Sequence, residues 1–172
     1  MSLRVPCDVN DLLNYRLARL LALSGAPVIR LCEGRYGVAR REWRLLGLLA
    51  LDGPLSPSAL AERGGLDRAR TSRAIGKLVA KGLASRDVLA ADSRRAKVSL
   101  TDSGRRMYDE LFEQIARINH ELVATLDDAT LATLEGALQR LMARATEPNT
   151  QFATDVRADR RRGGSRRLWP QG

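Results

Sequence analysis

Residues 67–82, DRARTSRAIGKLVAKG, followed across Leu83 by residues 84–101, ASRDVLAADSRRAKVSLT, decide how this chain folds. Leu66, Ala69, Ile75, Leu78 and Val79 recur at near-helical intervals and leave the arginines on another face. Asp67 stands where an N-cap carboxylate accepts first-turn amides, and Gly82 stands where helices commonly stop. The pattern predicts a short helix that packs with one face and offers Arg68, Arg70, Thr71, Ser72 and Arg73 on the other, with Lys77 and Lys81 further along. Such donors suit base edges and phosphates. A solvated basic surface helix is the plainer reading of the same residues.

The second stretch reads as a hairpin. Asp87, Val88 and Leu89 lead into a loop holding Asp92, Ser93, Arg94 and Arg95, after which Lys97, Val98, Ser99 and Leu100 alternate polar and apolar. Asp92 lies two residues before Arg94, close enough to orient its guanidinium, and an oriented arginine fits a narrow minor groove. Arg95 adds a second cation at the tip. The plainer reading is a turn kept soluble by its charges.

Upstream, Ser56 before Pro57 is a good helix entry: serine caps, and proline at the first helical position gives up a hydrogen bond that is unmade anyway. A short helix to about Arg63 is expected, with Ser56 and Ser58 placed to meet phosphate if this helix crosses a DNA backbone. A helix carrying Trp43, Leu45, Leu46, Leu48 and Leu49 precedes it and ends at Asp52, Gly53 and Pro54. Nearer the start, Leu12, Leu13, Leu17, Leu20 and Leu21 form an apolar stripe after candidate caps Asp8 and Asn10, and residues 24–27 (SGAP) predict a kink or break.

Downstream, Met107, Leu111, Ile115, Ile118, Leu122 and Leu126 follow three-and-four spacing. Leu131, Leu134, Leu138 and Leu141 continue it on a second helix capped by Asp127 or Asp128. One small winged domain cannot bury this much stripe, so the first helix and the last two are expected to form a dimer interface.

Composition bounds the same answer. The chain has 172 residues, 44% of them hydrophobic and 4% aromatic, which suits one helical domain with a real core. A net charge of +9 favours polyanions such as nucleic acid as partners. No run approaches the ~18 apolar residues of a membrane span and no signal-peptide pattern opens the chain, so no membrane partner and a cytoplasmic location are expected. Cys7 and Cys32 have neither metal-ligand nor disulfide spacing. His120 is the lone histidine, and the chain carries no phosphate-loop, nucleophile-elbow or zinc-protease motif. No enzyme activity, no metal and no cofactor are therefore expected.

The ordered string of basic helix, GLASRD, Asp92-x-Arg94 and then Leu100-Thr101-x-x-Gly104 resembles the MarR family of winged-helix regulators, as does residues 36–66, YGVARREWRLLGLLALDGPLSPSALAERGGL. The likeness covers nearly the whole patterned chain. It implies a mainly α fold with a small β-hairpin wing: a winged helix-turn-helix domain plus N- and C-terminal dimerisation helices. Residues 8–146 would form that unit, with its DNA-binding core at about 38–101, and residues 147–172 a flexible basic tail that from Pro148 onward contributes +4 of the +9 charge, from six arginines and two aspartates.

The family resemblance further implies a homodimer on a pseudo-palindromic double-stranded DNA operator, usually repressing, often released by a small molecule or an oxidant. In such a dimer Arg70 and Arg73 are the first choices for base contacts and Arg94 for the wing. The effector pocket implied by the resemblance falls near Tyr15, Arg16, Arg19 and Trp43, where rings beside arginine suit a small aromatic acid or an acyl thioester; Trp43 as plain core is the competing reading. Cys7 is the candidate redox thiol. A sequence-tolerant architectural DNA-binding protein is the remaining alternative.

Overall fold

The computed structural model describes residues 2–87 and 96–146. The expected wing-tip residues Asp92, Arg94 and Arg95 and the tail from residue 147 lie outside the described residues.

Six α-helices and a small sheet make up the described chain: α1 (Leu13–Ile29), α2 (Arg40–Asp52), α3 (Pro57–Arg63), α4 (Arg68–Ala80), β1 (Ala84–Asp87), β2 (Lys97–Leu100), α5 (Asp102–Val123) and α6 (Asp128–Thr146). Asp8 does cap, but it caps a single 3-10 turn, Val9–Asp11, by accepting the Asn10 amide, and α1 starts after it without a side-chain cap. The break expected at residues 24–27 is absent. Pro27 sits inside α1, where it forfeits one backbone donor, yet the ladder resumes at once: the Arg30 amide donates to the Ala26 and Pro27 carbonyls. The helix then loosens into a wider π-helical segment, Arg30–Arg35, whose following amide, Tyr36, reaches back five residues to Leu31.

The winged core is built from helices with one buried face each. On α2, Glu42, Leu45, Leu46 and Leu49 are buried, and on α4 Thr71, Ala74, Ile75 and Leu78; both sets follow i, i+3, i+4, i+7. The packing stripe of α4 therefore differs from expectation, since Ala69 and Val79 are exposed. A stripe drawn through Ile75 and Leu78 rotates onto Thr71, a residue whose polarity alone assigns it to the free face. Both expected ends of α4 are present. Asp67 Oδ1 accepts the Arg70 amide at 2.8 Å. Gly82, at φ +69°, donates to the Val79 carbonyl while Leu83 reaches Leu78, a paired closure that needs the left-handed conformation glycine adopts without strain.

β1 and β2 pair antiparallel, with Ala84 opposite Leu100 and Arg86 opposite Val98. Leu55 adds a third, one-residue strand, exchanging two backbone hydrogen bonds with Val98 at 3.0 and 2.8 Å. Val98 is thereby fully buried beneath the wing, in one continuous core with Leu45, Leu46, Leu60, Leu78 and Leu111. Thr101 then caps α5: its hydroxyl accepts the Gly104 amide at 3.0 Å and donates to the Gly82 carbonyl at 2.6 Å. Asp127 caps α6 by accepting the Thr130 amide, and that hydrogen bond holds its carboxyl below the ordinary aspartate value.

The long helices leave much of their apolar surface open in the single chain. Along α5, Leu111 is buried and Met107 and Ile115 pack on the core, but Phe112, Leu122 and, just beyond the helix, Leu126 are exposed. Leu17, Leu20, Leu21 and Leu23 on α1 and Leu134, Leu141 and Met142 on α6 are exposed as well.

Candidate nucleic-acid interface

The two helices that carry the candidate DNA contacts meet at a tight turn. Ser56 caps α3 by accepting the Ala59 amide at 3.1 Å, and Gly65, at φ +59°, turns the chain toward α4. Arg44 of α2 donates to the Gly64 carbonyl at 2.9 Å and braces that turn from behind. Ser58 is exposed at the start of α3 and Ser56 is half-buried. The Ser56 oxygen is committed to its cap, which leaves its proton as the group available to an acceptor.

On α4 the solvent side presents Arg68, Arg70, Ser72, Arg73 and Lys77, all exposed. Five of the expected contacts thus share one open surface. Thr71 does not belong with them: it is 1% exposed and its hydroxyl donates to the Asp67 carbonyl at 3.0 Å, so it fastens the first turn instead of meeting a ligand. Lys81 is also diverted. Its ammonium lies 2.5 Å from Glu42 Oε2 and 2.6 Å from the Gly37 carbonyl, and the same Glu42 oxygen accepts the Ala39 amide. A carboxylate only 2% exposed requires such partners, and Lys81 provides the charge while bolting the end of α4 to the start of α2. Residues 39 positions apart give no linear signal of this contact.

The wing strands stand beside this surface. Arg86 on β1, inside the GLASRD string, and Lys97 on β2 are exposed cations. Alternation puts Lys97 on the solvent side, whereas Arg86 stands opposite buried Val98 and is exposed at the end of its strand.

The candidate effector residues divide into two groups. Arg16 pairs with the buried Asp11 at 3.0 Å, and Arg19 lies 6.0 Å above the Tyr15 ring. Trp43 is half-buried and stacks on Tyr108 at 5.2 Å, with Phe112 continuing the stack at 5.6 Å. A cleft of about 460 Å³ lined by Glu33, Val38, Glu42, Lys77 and Lys81, and another of about 610 Å³ on α5 around Phe112, Ala116 and His120, include none of the four.

The two thiols differ sharply. Cys7 is exposed, whereas Cys32 is completely buried and desolvation raises its pKa. In the native protein iodoacetamide at pH 8 should alkylate Cys7 and spare Cys32, with both reacting in urea, as peptide mass mapping would show; native labelling of Cys32 would contradict its burial. Among the described residues no group of three metal-ligating side chains forms, and no helix is long and apolar enough to cross a membrane.

Comparison with known proteins agrees with this geometry. A profile of the MarR family matches residues 36–95, from just before α2 into the wing. The putative transcriptional regulatory protein for the hcr operon of Thauera aromatica is 32% identical over 111 residues, 64% of this chain and 67% of that protein. The crystal structure of a MarR family transcriptional regulator from Silicibacter pomeroyi superposes with a TM-score of 0.71 at 29% identity, covering 83% of this chain and 95% of that one. The PcaV transcriptional regulator of Streptomyces coelicolor, solved in complex with its natural ligand, shares the fold at a TM-score of 0.67 and 24% identity, over 82% of this chain and 99% of its own. Fold and family are those of transcriptional regulators and not of enzymes. This chain belongs to the MarR family and is a DNA-binding transcriptional regulator.

Proposed function

We propose that the chain acts as a homodimeric, sequence-specific repressor that releases a pseudo-palindromic operator when a small ligand binds. The observation that carries this reading is the exposed cationic row of α4, Arg68, Arg70, Arg73 and Lys77 with Ser72, set beside a wing and braced from behind by Arg44 and Lys81. In a two-fold dimer, two such helices about 34–36 Å apart enter successive major grooves. Ser56 and Ser58 then meet phosphate, and Arg94 and Arg95 at the wing reach the flanking minor groove, with Asp92 orienting Arg94. Arg94→Ala should keep the melting temperature and weaken operator binding roughly tenfold or more; unchanged affinity would remove Arg94 from the interface.

The dimer reading rests on the exposed leucines of α1, α5 and α6, a larger apolar surface than a monomer ordinarily leaves in water. Light scattering should give twice the chain mass. Replacing Leu122 and Leu134 together by Asp should give a folded monomer with operator binding weakened on the order of a hundredfold or more, because only one half-site can then be held at a time. A monomeric wild-type protein at micromolar concentration would overturn the dimer.

For the effector, the Tyr15–Arg19 pair and the Trp43–Tyr108 stack offer ring faces and guanidinium charge to a small aromatic acid or acyl thioester, brought together where subunits meet. By linkage, such a ligand weakens DNA binding by the factor by which DNA weakens its own binding. Cys7 carries the second reading, an oxidant-responsive regulator, because its thiol is the exposed one. Peroxide releasing wild-type protein but not Cys7→Ser from DNA would favour it.

A further inference from the structure

Arg70 is not held as a free surface arginine. The Asp67 carboxylate uses one oxygen, Oδ1, to cap α4 at the Arg70 amide and the other, Oδ2, to pair with Arg70 Nε at 3.0 Å. A guanidinium has two edges able to donate a parallel pair of hydrogen bonds, one through Nε and one through the two terminal nitrogens. Asp67 occupies the Nε side. Among the described residues the two terminal amines of Arg70 take no partner, and the side chain is half exposed.

We infer that Asp67 is a positioning residue for sequence reading: by engaging Nε it aims the terminal edge of Arg70 outward for a bidentate contact with O6 and N7 of a guanine. This rests on the reading of Arg70 as a base-contacting residue. The carboxylate performs two tasks at once, since the bond that starts the helix also fixes where the carboxylate stands relative to the next turn. An arginine confined in this way surrenders little rotamer freedom on binding and presents its donors in one plane. Pairing with Asp67 also disfavours a swing of Arg70 to the nearest phosphate, a contact that would carry affinity without sequence information.

The conservative variant Asp67→Asn separates the two tasks. Asparagine is as good an N-cap as aspartate, so α4 is kept, but the charge that holds Nε is gone. The experiment measures wild-type, Asp67→Asn, Arg70→Ala and the double variant against the operator and a set of duplexes with single base-pair changes, by anisotropy at several salt concentrations, with thermal melts as a check on folding. Asp67→Asn should melt like the wild type. Its discrimination should fall roughly two- to fivefold, as suits a half-exposed ion pair, at one G·C pair in each half-site, the same pair at which Arg70→Ala loses discrimination. In the Arg70→Ala background, Asp67→Asn should change nothing further at that pair. Affinity for non-operator DNA should hold or rise, because a negative charge has left the interface.

Full discrimination in a folded Asp67→Asn protein, or an equal loss with and without Arg70, would overturn the positioning role while leaving Arg70 as a base reader. If Arg70→Ala itself preserves discrimination at every pair, the reading of Arg70 fails first, and the role of Asp67 falls with it.

Discussion

Replacing Gly104 by alanine should destabilise the protein by about 3 kcal/mol or more, a large part of the ~5–15 kcal/mol that holds a domain of this kind together. A Cβ at this position would stand 1.9 Å from the Leu83 carbonyl oxygen and 2.9 Å from its carbon. Both are backbone atoms, so no rotamer change relieves the overlap. The neighbourhood is also committed: the same carbonyl accepts the Thr101 amide at 3.2 Å, Leu83 closes the end of α4, and the Thr101 hydroxyl joins Gly82 to Gly104. Moving α5 away would break the two hydrogen bonds by which Thr101, at its start, holds the Leu83 and Gly82 carbonyls at the end of α4. Gly76, in the middle of α4, is the contrast. A methyl group added there meets nothing within 4 Å, so alanine should be neutral or stabilise by roughly 0.5–1 kcal/mol. Urea unfolding of the two variants checks both, and an unchanged midpoint for Gly104→Ala would contradict the close approach of α5 to Leu83.

Replacing Arg73 by alanine should cost operator binding about 1–3 kcal/mol, roughly tenfold to a hundredfold, and relax specificity at one position in each half-site. Arg73 is exposed on α4 and its Nε makes only a long contact, 3.4 Å, with the Ala69 carbonyl. The side chain therefore has little to lose in the free protein and the fold should be indifferent to its removal. Arg70→Ala should behave alike at a different position. Because the two arginines are close, the double variant need not equal the sum of the singles. Lys77→Ala should act differently, weakening all duplexes alike and lowering the salt slope by about one, as a phosphate contact does. Affinity of Arg73→Ala equal to the wild type on operator DNA would remove it from the reading surface.

The reading helix is legible from its sequence because its determinants are local. Asp67 and Gly82 mark its ends within a few residues of the bonds they make, and Ile75 and Leu78 set a face that any helical projection displays. The rotation of that face is less legible: Thr71 is polar by type, and only its bond to the Asp67 carbonyl explains how it is buried without penalty. The same limit applies to Pro27, where a rule about local cost misjudges a helix able to lose one bond and loosen afterward. Contacts between distant residues are not legible at all. Lys81 on Glu42, Arg44 on Gly64 and Leu55 on Val98 depend on how helices and wing come together, and nothing in residue spacing announces them. Gly104 lies between these cases. The Leu100-Thr101-x-x-Gly104 string points to the family, while its physical cause, the approach of α5 to the Leu83 carbonyl, is visible only in the fold.

The most direct test of sequence-specific regulation is fluorescence anisotropy at about 150 mM salt with two duplexes, one from the region upstream of the protein's own gene and one of the same composition in shuffled order. A sequence-specific regulator should prefer the upstream duplex by about a thousandfold or more, with Arg70→Ala and Arg73→Ala each removing part of that preference. Equal, strongly salt-dependent binding to this and every other genomic duplex would contradict sequence-specific regulation and leave an architectural DNA-coating protein in its place.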